Sequence, residues 1–430
     1  MKRLDVAVIG GSIAGLTTAC LLARSGHAVT VFERSAAALT GRGAGIVTHP
    51  GLRAVLARCG APAGAGDLGV TVEGRRVLDR DGTVIAQRSL PQVLASWGRL
   101  YGLLLDAAPP DSVRYGAALA AVEPDDARVV AFFEDGRRIS ADLLVGADGQ
   151  FSTVRSRFLS GVAPRYAGYV AWRAVVDAAA LAPATREAIG GHFAFCLPPG
   201  EQILGYPVPG RADGAAAGRC FNAVWYRPTE EAALAALLTD TGGVRHALSI
   251  PPGRIKAAVL DSMRTDAARI LAPPFAEVML RAEQPFLQAI LDIETPTMIP
   301  ARGVALIGDA AFVARPHVGM GATKAMEDAA ALADALDAAG GDVDAALTAF
   351  EARRRAYGAA VVARGRDLGA YLQAQQRGAA ERTAAERFRS PEAVMAGTAV
   401  PLRPRGGSPP RARRPGARGA GSRCPGTRRW

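Results

Sequence analysis

Val6-Ala7-Val8-Ile9-Gly10-Gly11-Ser12-Ile13-Ala14-Gly15-Leu16, near the start of the chain, is the stretch on which the fold turns. Val6 to Ile9 is a short apolar, β-prone run, Gly10 to Gly15 a tight turn, and Leu16 to Ala23 the opening of a helix. Ala28 to Phe32 reads as a second strand, so the spacing predicts a βαβ unit. A dinucleotide turn needs a glycine for the bend, a small residue where the backbone approaches a pyrophosphate, and a glycine for helix–strand packing. Gly10 and Gly15 stand at the outer positions, while Ser12 replaces the middle glycine and is still small. Gly11, Ile13 and Ala14 complete the turn. Glu33 closes the second strand, where a carboxylate can accept both hydroxyls of an adenosine ribose, as in FAD or NAD; Arg34 follows it.

Two later segments have the same strand-then-turn form. Leu144-Val145-Gly146-Ala147-Asp148-Gly149 is followed by Ser152, Val154 and Arg155, and taken alone it reads as a turn. Ala305-Leu306-Ile307-Gly308-Asp309-Ala310-Ala311 is followed by Arg315-Pro316-His317-Val318-Gly319-Met320-Gly321 and then a long helix, Gly321 to Ala339, carrying Glu327 and Asp328. A carboxylate at a strand end can bind a ribityl hydroxyl, and glycines let the amides of a helix N-terminus face an anion. Reduced flavin is such an anion.

Between these segments the chain changes character. Gly69 to Arg88 alternates with turns expected at Glu73-Gly74 and Asp81-Gly82, which suggests hairpins. Arg99 to Ala107 reads as a helix. Gly168 to Val176, Gln202 to Val208 and Cys220 to Tyr226 read as strands among Ala-rich helices. The expected fold is α/β: a Rossmann-like nucleotide-binding domain (1–70, 99–163, 286–375) with a parallel sheet, interleaved with a smaller α+β domain (71–98, 164–285). A C-terminal segment (376–400) and a disordered basic tail (401–430) complete it.

The net charge of +11 resembles a nucleic-acid signal until it is located. Nine arginines and no acid fall in 401–430, so the preceding residues carry only +2. That tail is rich in Pro, Gly and Ser and has one aromatic residue, Trp430, so it offers no stacking platform and no nucleic-acid role is expected. No run of roughly 18 apolar residues is present, so no membrane span is expected. Cys20, Cys59, Cys196, Cys220 and Cys424 are scattered without a CxxC pair or metal spacing. No metal site is expected, and a reduced, cytoplasmic setting is the natural inference.

Together the three segments resemble the group A flavoprotein monooxygenases, the p-hydroxybenzoate hydroxylase superfamily, from about residue 4 to about residue 375. Gly11-Ser12-Ile13, Gly41-Arg42-Gly43-Ala44-Gly45-Ile46-Val47, Tyr169-Val170-Ala171-Trp172-Arg173 and Arg315-Pro316-His317 are most similar to its 2,6-dihydroxypyridine 3-hydroxylase-like members. The resemblance implies FAD as cofactor, NADH or NADPH as co-substrate, dioxygen, a small aromatic ring as substrate, and a homodimer. It implies that a flavin C4a-hydroperoxide passes its terminal OH to the ring. By the same resemblance Glu33 holds the ribose, Gly10 to Gly15 the pyrophosphate, and Asp309, after Gly308, the ribityl and phosphate groups. Pro316, Gly319, Met320 and Gly321 would cradle the isoalloxazine, with Arg42 and Gly45 opposite. Asp148 and Gly149 would serve the flavin side and the pyridine-nucleotide path, and Arg99 would contact FAD. For substrate contact and catalysis the candidates are His317 beside Pro316, His49 and Tyr206. Arg173 would pair either with an anionic substrate or with a structural partner.

Rival readings lack their own signatures. A flavin-dependent halogenase would carry a Trp-x-Trp-x-Ile-Pro segment, and a disulfide reductase paired cysteines; neither occurs. Oxidation of a non-aromatic substrate on the same fold, and a nucleotide-binding scaffold without catalysis, remain open at the level of sequence.

Overall fold

The structure is a computed structural model that describes residues 2–40, 45–125, 128–210, 218–375 and 378–402. Arg42, Cys424 and all but the first two residues of the basic tail lie outside these.

Among the described residues three sheets form. The first is parallel throughout, in the order Val304–Leu306, Leu143–Gly146, Asp5–Ile9, Ala28–Phe32, Val113–Arg114. Its strands are near-continuous apolar runs because helices cover the sheet. The helix Ile13–Arg24 packs against the helix Gly321–Ala338, and Leu16, Val8, Leu144, Leu306 and Leu332 are sealed in their shared core. Thr17 and Thr18 are buried inside the first helix without penalty, since their hydroxyls donate to the Ile13 and Ala14 carbonyls. All three nucleotide-type turns leave this sheet at the C-terminal ends of its three central-to-edge strands, where ligands bind in open α/β sheets.

The second sheet has nine strands, antiparallel except where His192–Cys196 runs parallel to Val70–Leu78. Its long strands Arg165–Asp177, Arg219–Pro228 and Gln202–Pro209 are apolar on both faces, and the period of two separates the faces cleanly. Val170, Trp172, Ile203 and Trp225 point to a core closed by the helices Ala257–Ile270 and Pro273–Arg281. Tyr169, Phe193, Leu204, Tyr206 and Tyr226 point to the other side, toward the parallel sheet. A three-stranded antiparallel sheet, Leu119–Pro124, Val129–Phe133 and Arg138–Ala141, completes the framework.

One expected turn is not a turn. Glu73-Gly74 lies inside the strand Val70–Leu78, as a bulge in its pairing with Val84–Ser96. A side chain on Gly74 would collide with the Arg88 carbonyl, so the glycine serves a close strand approach. The turn at Asp81-Gly82 is present, with Gly82 at φ +92°.

Candidate active site

A cavity of about 520 Å³ opens between the two larger sheets. At one end Gly10 adopts φ +103°, and a Cβ there would lie 2.5 Å from the Ala147 carbonyl oxygen, so the turn tolerates only glycine. A Cβ on Gly15 would run into the Gly10 carbonyl. The Gly11 amide donates to Glu33 Oε2 at 2.7 Å and the Ser35 amide to Oε1 at 2.8 Å. These bonds aim the buried carboxylate along the cavity wall and leave lone pairs for further donors. Ser12, Ile13, Ala14 and Arg34 line the same end.

Asp148 and Asp309 follow along the cavity, and the fold treats them differently. Asp148 accepts from the Ser152 hydroxyl and from the Thr153 amide at 2.7 Å, fastening the start of the short helix Thr153–Phe158. Burial pushes its carboxyl above the ordinary range, opposed by those hydrogen bonds. Asp309 takes no hydrogen bond from any described residue, and its side chain is exposed to the cavity. Burial raises its carboxyl too, with Lys324 pulling the other way. The loop beneath is tied by a buried network. Lys324 Nζ donates to the Gly308 carbonyl at 2.7 Å, Asp328 accepts the Gly308 amide at 3.1 Å, and Arg354 Nε closes on Asp328 at 2.7 Å. Buried Arg155 ties the two loops together through the Ala310 and Gln150 carbonyls.

The segment Arg315–Gly321 forms the floor further on. Arg315 is held by Asp292 at 2.9 Å, and Gly319 turns at φ +60° before the helix Gly321–Ala338. Pro316, Gly319 and Gly321 line the cavity, so the unpaired amides of that helix face it. The far end is aromatic and apolar: Phe193, Leu204, Tyr206, Val224 and Tyr226 surround Arg173, whose Nε donates to Gln288 at 3.0 Å and which makes no ion pair among the described residues.

The structure brings most of the sequence-derived residues to one cavity but sends three candidates elsewhere. His317 does not line it. Its ring is 1% exposed, hydrogen-bonded through Nε2 to the Tyr169 hydroxyl at 3.0 Å and packed 4.1 Å from Tyr226, behind the wall. Burial first, then Arg315 and Arg173, push it down to about 3, so the ring is neutral. His49 Nε2 bonds the Gly319 carbonyl at 3.0 Å and likewise supports the floor from outside. Arg99 Nε donates to the Asp67 carbonyl at 2.9 Å, away from the cavity. Tyr206 does line it, lying against Gly45, where a Cβ would strike its ring. Met320 caps the long helix from a buried position. Sequence reasoning missed Trp97, Phe193, Tyr226 and, from the C-terminal segment, Thr398 and Ala399; no motif marks them.

The pocket fits FAD on its own geometry: a turn only glycine can make, a fixed acid beyond it, a free carboxylate midway, and helix amides at the ring end. A family model described as an FAD binding domain matches residues 3–199, and one described as FAD binding domain-like matches residues 166–292. The chain is 32% identical over 376 residues to 2,6-dihydroxypyridine 3-monooxygenase of Paenarthrobacter nicotinovorans, covering 86% of this chain and 91% of that one. It belongs to the group A flavoprotein monooxygenases. The solved structure of 2,6-dihydroxypyridine-3-hydroxylase from Arthrobacter nicotinovorans superposes on this monooxygenase with a TM-score of 0.82 at 30% identity, covering 88% of this chain and 94% of that one. Klebsiella pneumoniae HpxO, solved with FAD and uric acid, superposes with a TM-score of 0.71 at 25% identity, covering 92% and 93%. No helix among the described residues of this monooxygenase is long and apolar enough to cross a membrane.

Proposed function

We propose that this flavoprotein hydroxylates a small, electron-rich aromatic or heteroaromatic ring, using NADH or NADPH as reductant and dioxygen as oxidant. The observation that carries this reading is the continuity of one cavity from Glu33, past Asp309 and the Arg315–Gly321 floor, to an aromatic-walled end holding Arg173. FAD bound along it supplies the hydride-accepting and oxygen-activating chemistry. Glu33 holds the adenosine ribose, Gly10 to Gly15 the pyrophosphate, Asp309 a ribityl hydroxyl, and the amides around Gly319 and Gly321 the electron-rich edge of the ring system.

The substrate end does the rest. Phe193, Leu204, Val224 and Tyr226 keep water away from the reacting centre, which protects reactive oxygen species from wasteful decay. Arg173 favours the ionised form of a ring hydroxyl, and an ionised ring is the better nucleophile. Tyr206 stands beside it, its phenol pushed up by burial and therefore neutral, able to donate to that same oxygen. Neutral His317 supports the wall by bonding Tyr169 rather than by exchanging protons. We infer that residues 1–70, 99–163 and 286–375 carry the cofactor and that 71–98 and 164–285 supply the ring-binding walls.

The purified protein is expected to show the visible bands of oxidised flavin and to consume NADH or NADPH faster when the right hydroxypyridine or phenol is added, with a hydroxylated product. A colourless protein that FAD cannot reconstitute, or a flavoprotein that no ring stimulates, overturns the proposal.

A further inference from the structure

The cavity has a wall that none of the three nucleotide-type segments supplies. The short helix Pro391–Gly397 ends in Thr398 and Ala399, and both residues line the cavity. Ala399 packs in the same apolar cluster as Phe193, Leu204, Tyr206 and Tyr226, so this wall stands at the ring end. It also meets the floor directly: a Cβ on Gly319 would lie 2.6 Å from the Ala399 Cβ.

The turn at Ala399 is held against its own preference. Its φ is +50°, a region that residues other than glycine rarely enter. Both of its peptide groups are fastened. The amide donates to the His317 carbonyl at 2.8 Å, and the carbonyl accepts from Gln92 Nε2 at 3.0 Å and Arg75 Nη2 at 3.2 Å. Arg75, fully buried, also donates to the Met395 carbonyl at 2.8 Å and to the Thr398 carbonyl. Its guanidinium makes no ion pair with any described carboxylate; besides these carbonyls it meets Gln92 and the Phe193 ring, 5.1 Å away. A buried cation directed at the Met395, Thr398 and Ala399 carbonyls is a costly way to hold a passing segment and a good way to fix a wall. Strain sustained by so many bonds marks a position whose shape matters. The Thr398 hydroxyl, by contrast, has no hydrogen-bond partner among the described residues.

We propose that Thr398 and Ala399 determine which ring this monooxygenase accepts: the Thr398 hydroxyl meets a polar substituent of the ring, and the Ala399 methyl limits its size. Arg75 is the positioning residue that holds both. This rests on the reading of the aromatic end as the ring site.

The test uses FAD-loaded full-length protein and a panel of hydroxypyridines, aminophenols and hydroxybenzoates. Wild type is compared with Thr398→Val, Ala399→Gly, Arg75→Met and the conservative Arg75→Lys. Thr398→Val is expected to raise KM for the preferred ring by about tenfold, the loss of one hydrogen bond, with kcat changed less than about twofold. Ala399→Gly suits the positive φ and is expected to shift the preference toward bulkier rings. Arg75→Met is expected to lower product formed per NAD(P)H and release hydrogen peroxide, with partial rescue by Arg75→Lys. Unchanged KM, ring order and coupling in all four overturn the proposal. If no ring stimulates wild type, the hydroxylase reading fails, and hydrogen exchange decides the wall. Amides of 391–402 protected in wild type but not in Arg75→Met support Arg75 as the residue that positions this wall, and exposure in wild type overturns that role; ring selection falls with the hydroxylase reading.

Discussion

Glu33 and Asp309 are both acids aimed into the cofactor cavity, and they are expected to fail differently. Glu33 accepts two backbone amides of its own chain, so Glu33→Ala is expected to weaken the apoprotein by about 1–3 kcal/mol as well as loosen FAD. Asp309 takes no hydrogen bond from the described residues, and desolvation by the surrounding fold raises its carboxyl, so the charged form is disfavoured there. A raised carboxyl contributes stability that is present at low pH and lost as pH rises through the folded pKa. Asp309→Asn is therefore expected to leave the apoprotein as stable as wild type in acid and slightly more stable near neutrality, the gain kept small by solvent in the open cavity, while FAD dissociates faster. Urea melts of the apoprotein at two pH values and flavin release from the holoprotein check both acids. His317 has the opposite sign. Its folded value of about 3 lies below the ordinary 6.5, so its contribution is intact above 6.5 and drains as pH falls toward 3. His317→Gln is expected to flatten the acid limb of the stability curve by up to about 1.4 kcal/mol per pH unit. The same variant should leave the pH–rate profile without a lost step near 6.5, because the folded ring never titrates there.

At the scale of elements, the site depends on turns that leave strands sharply and on the networks beneath them. The Gly10 turn allows no side chain, and Gly10→Ala is expected to cost about 2–4 kcal/mol from the positive φ and the contact with Ala147 together, and to abolish FAD retention. Calorimetry and the flavin-to-protein absorbance ratio read it. Beneath the Gly308-Asp309 turn, Asp328 is shared by the Gly308 amide, Lys324 and Arg354. Asp328→Asn leaves buried Lys324 without its counter-charge and Arg354 with Glu327 alone, and is expected to lower stability by about 3–5 kcal/mol, measured by denaturant midpoint. These turns were legible in the sequence because each requirement is local: a glycine, a small residue and a carboxylate within a few positions. The bulge at Glu73-Gly74 was not. Whether a glycine bends a chain or admits a neighbouring strand depends on what lies opposite, here the Arg88 carbonyl.

Across the whole molecule, charge and fold separate. The nine arginines beyond Leu402 account for all but +2 of the net charge. Deleting 403–430 is expected to leave flavin content and melting temperature unchanged while removing salt-sensitive retention on a cation-exchange matrix. The parallel sheet, its order of three nucleotide-type turns and the acid at the second strand were determined by the sequence alone. Short apolar runs and glycines of fixed spacing admit few arrangements, and all three loops must emerge at one sheet end. The substrate end was decided only by tertiary structure. Its strands are apolar on both faces, so no alternation in the sequence tells that Tyr206 and Tyr226 face the cavity while Trp172 and Trp225 face the opposite core. His317 and His49, adjacent in sequence to cofactor loops, are turned outward by bonds to Tyr169 and Gly319. Arg75 reaches Thr398 across 323 positions of chain, a contact that exists only once the sheets have packed, because no local pattern encodes which distant backbone a buried cation will meet.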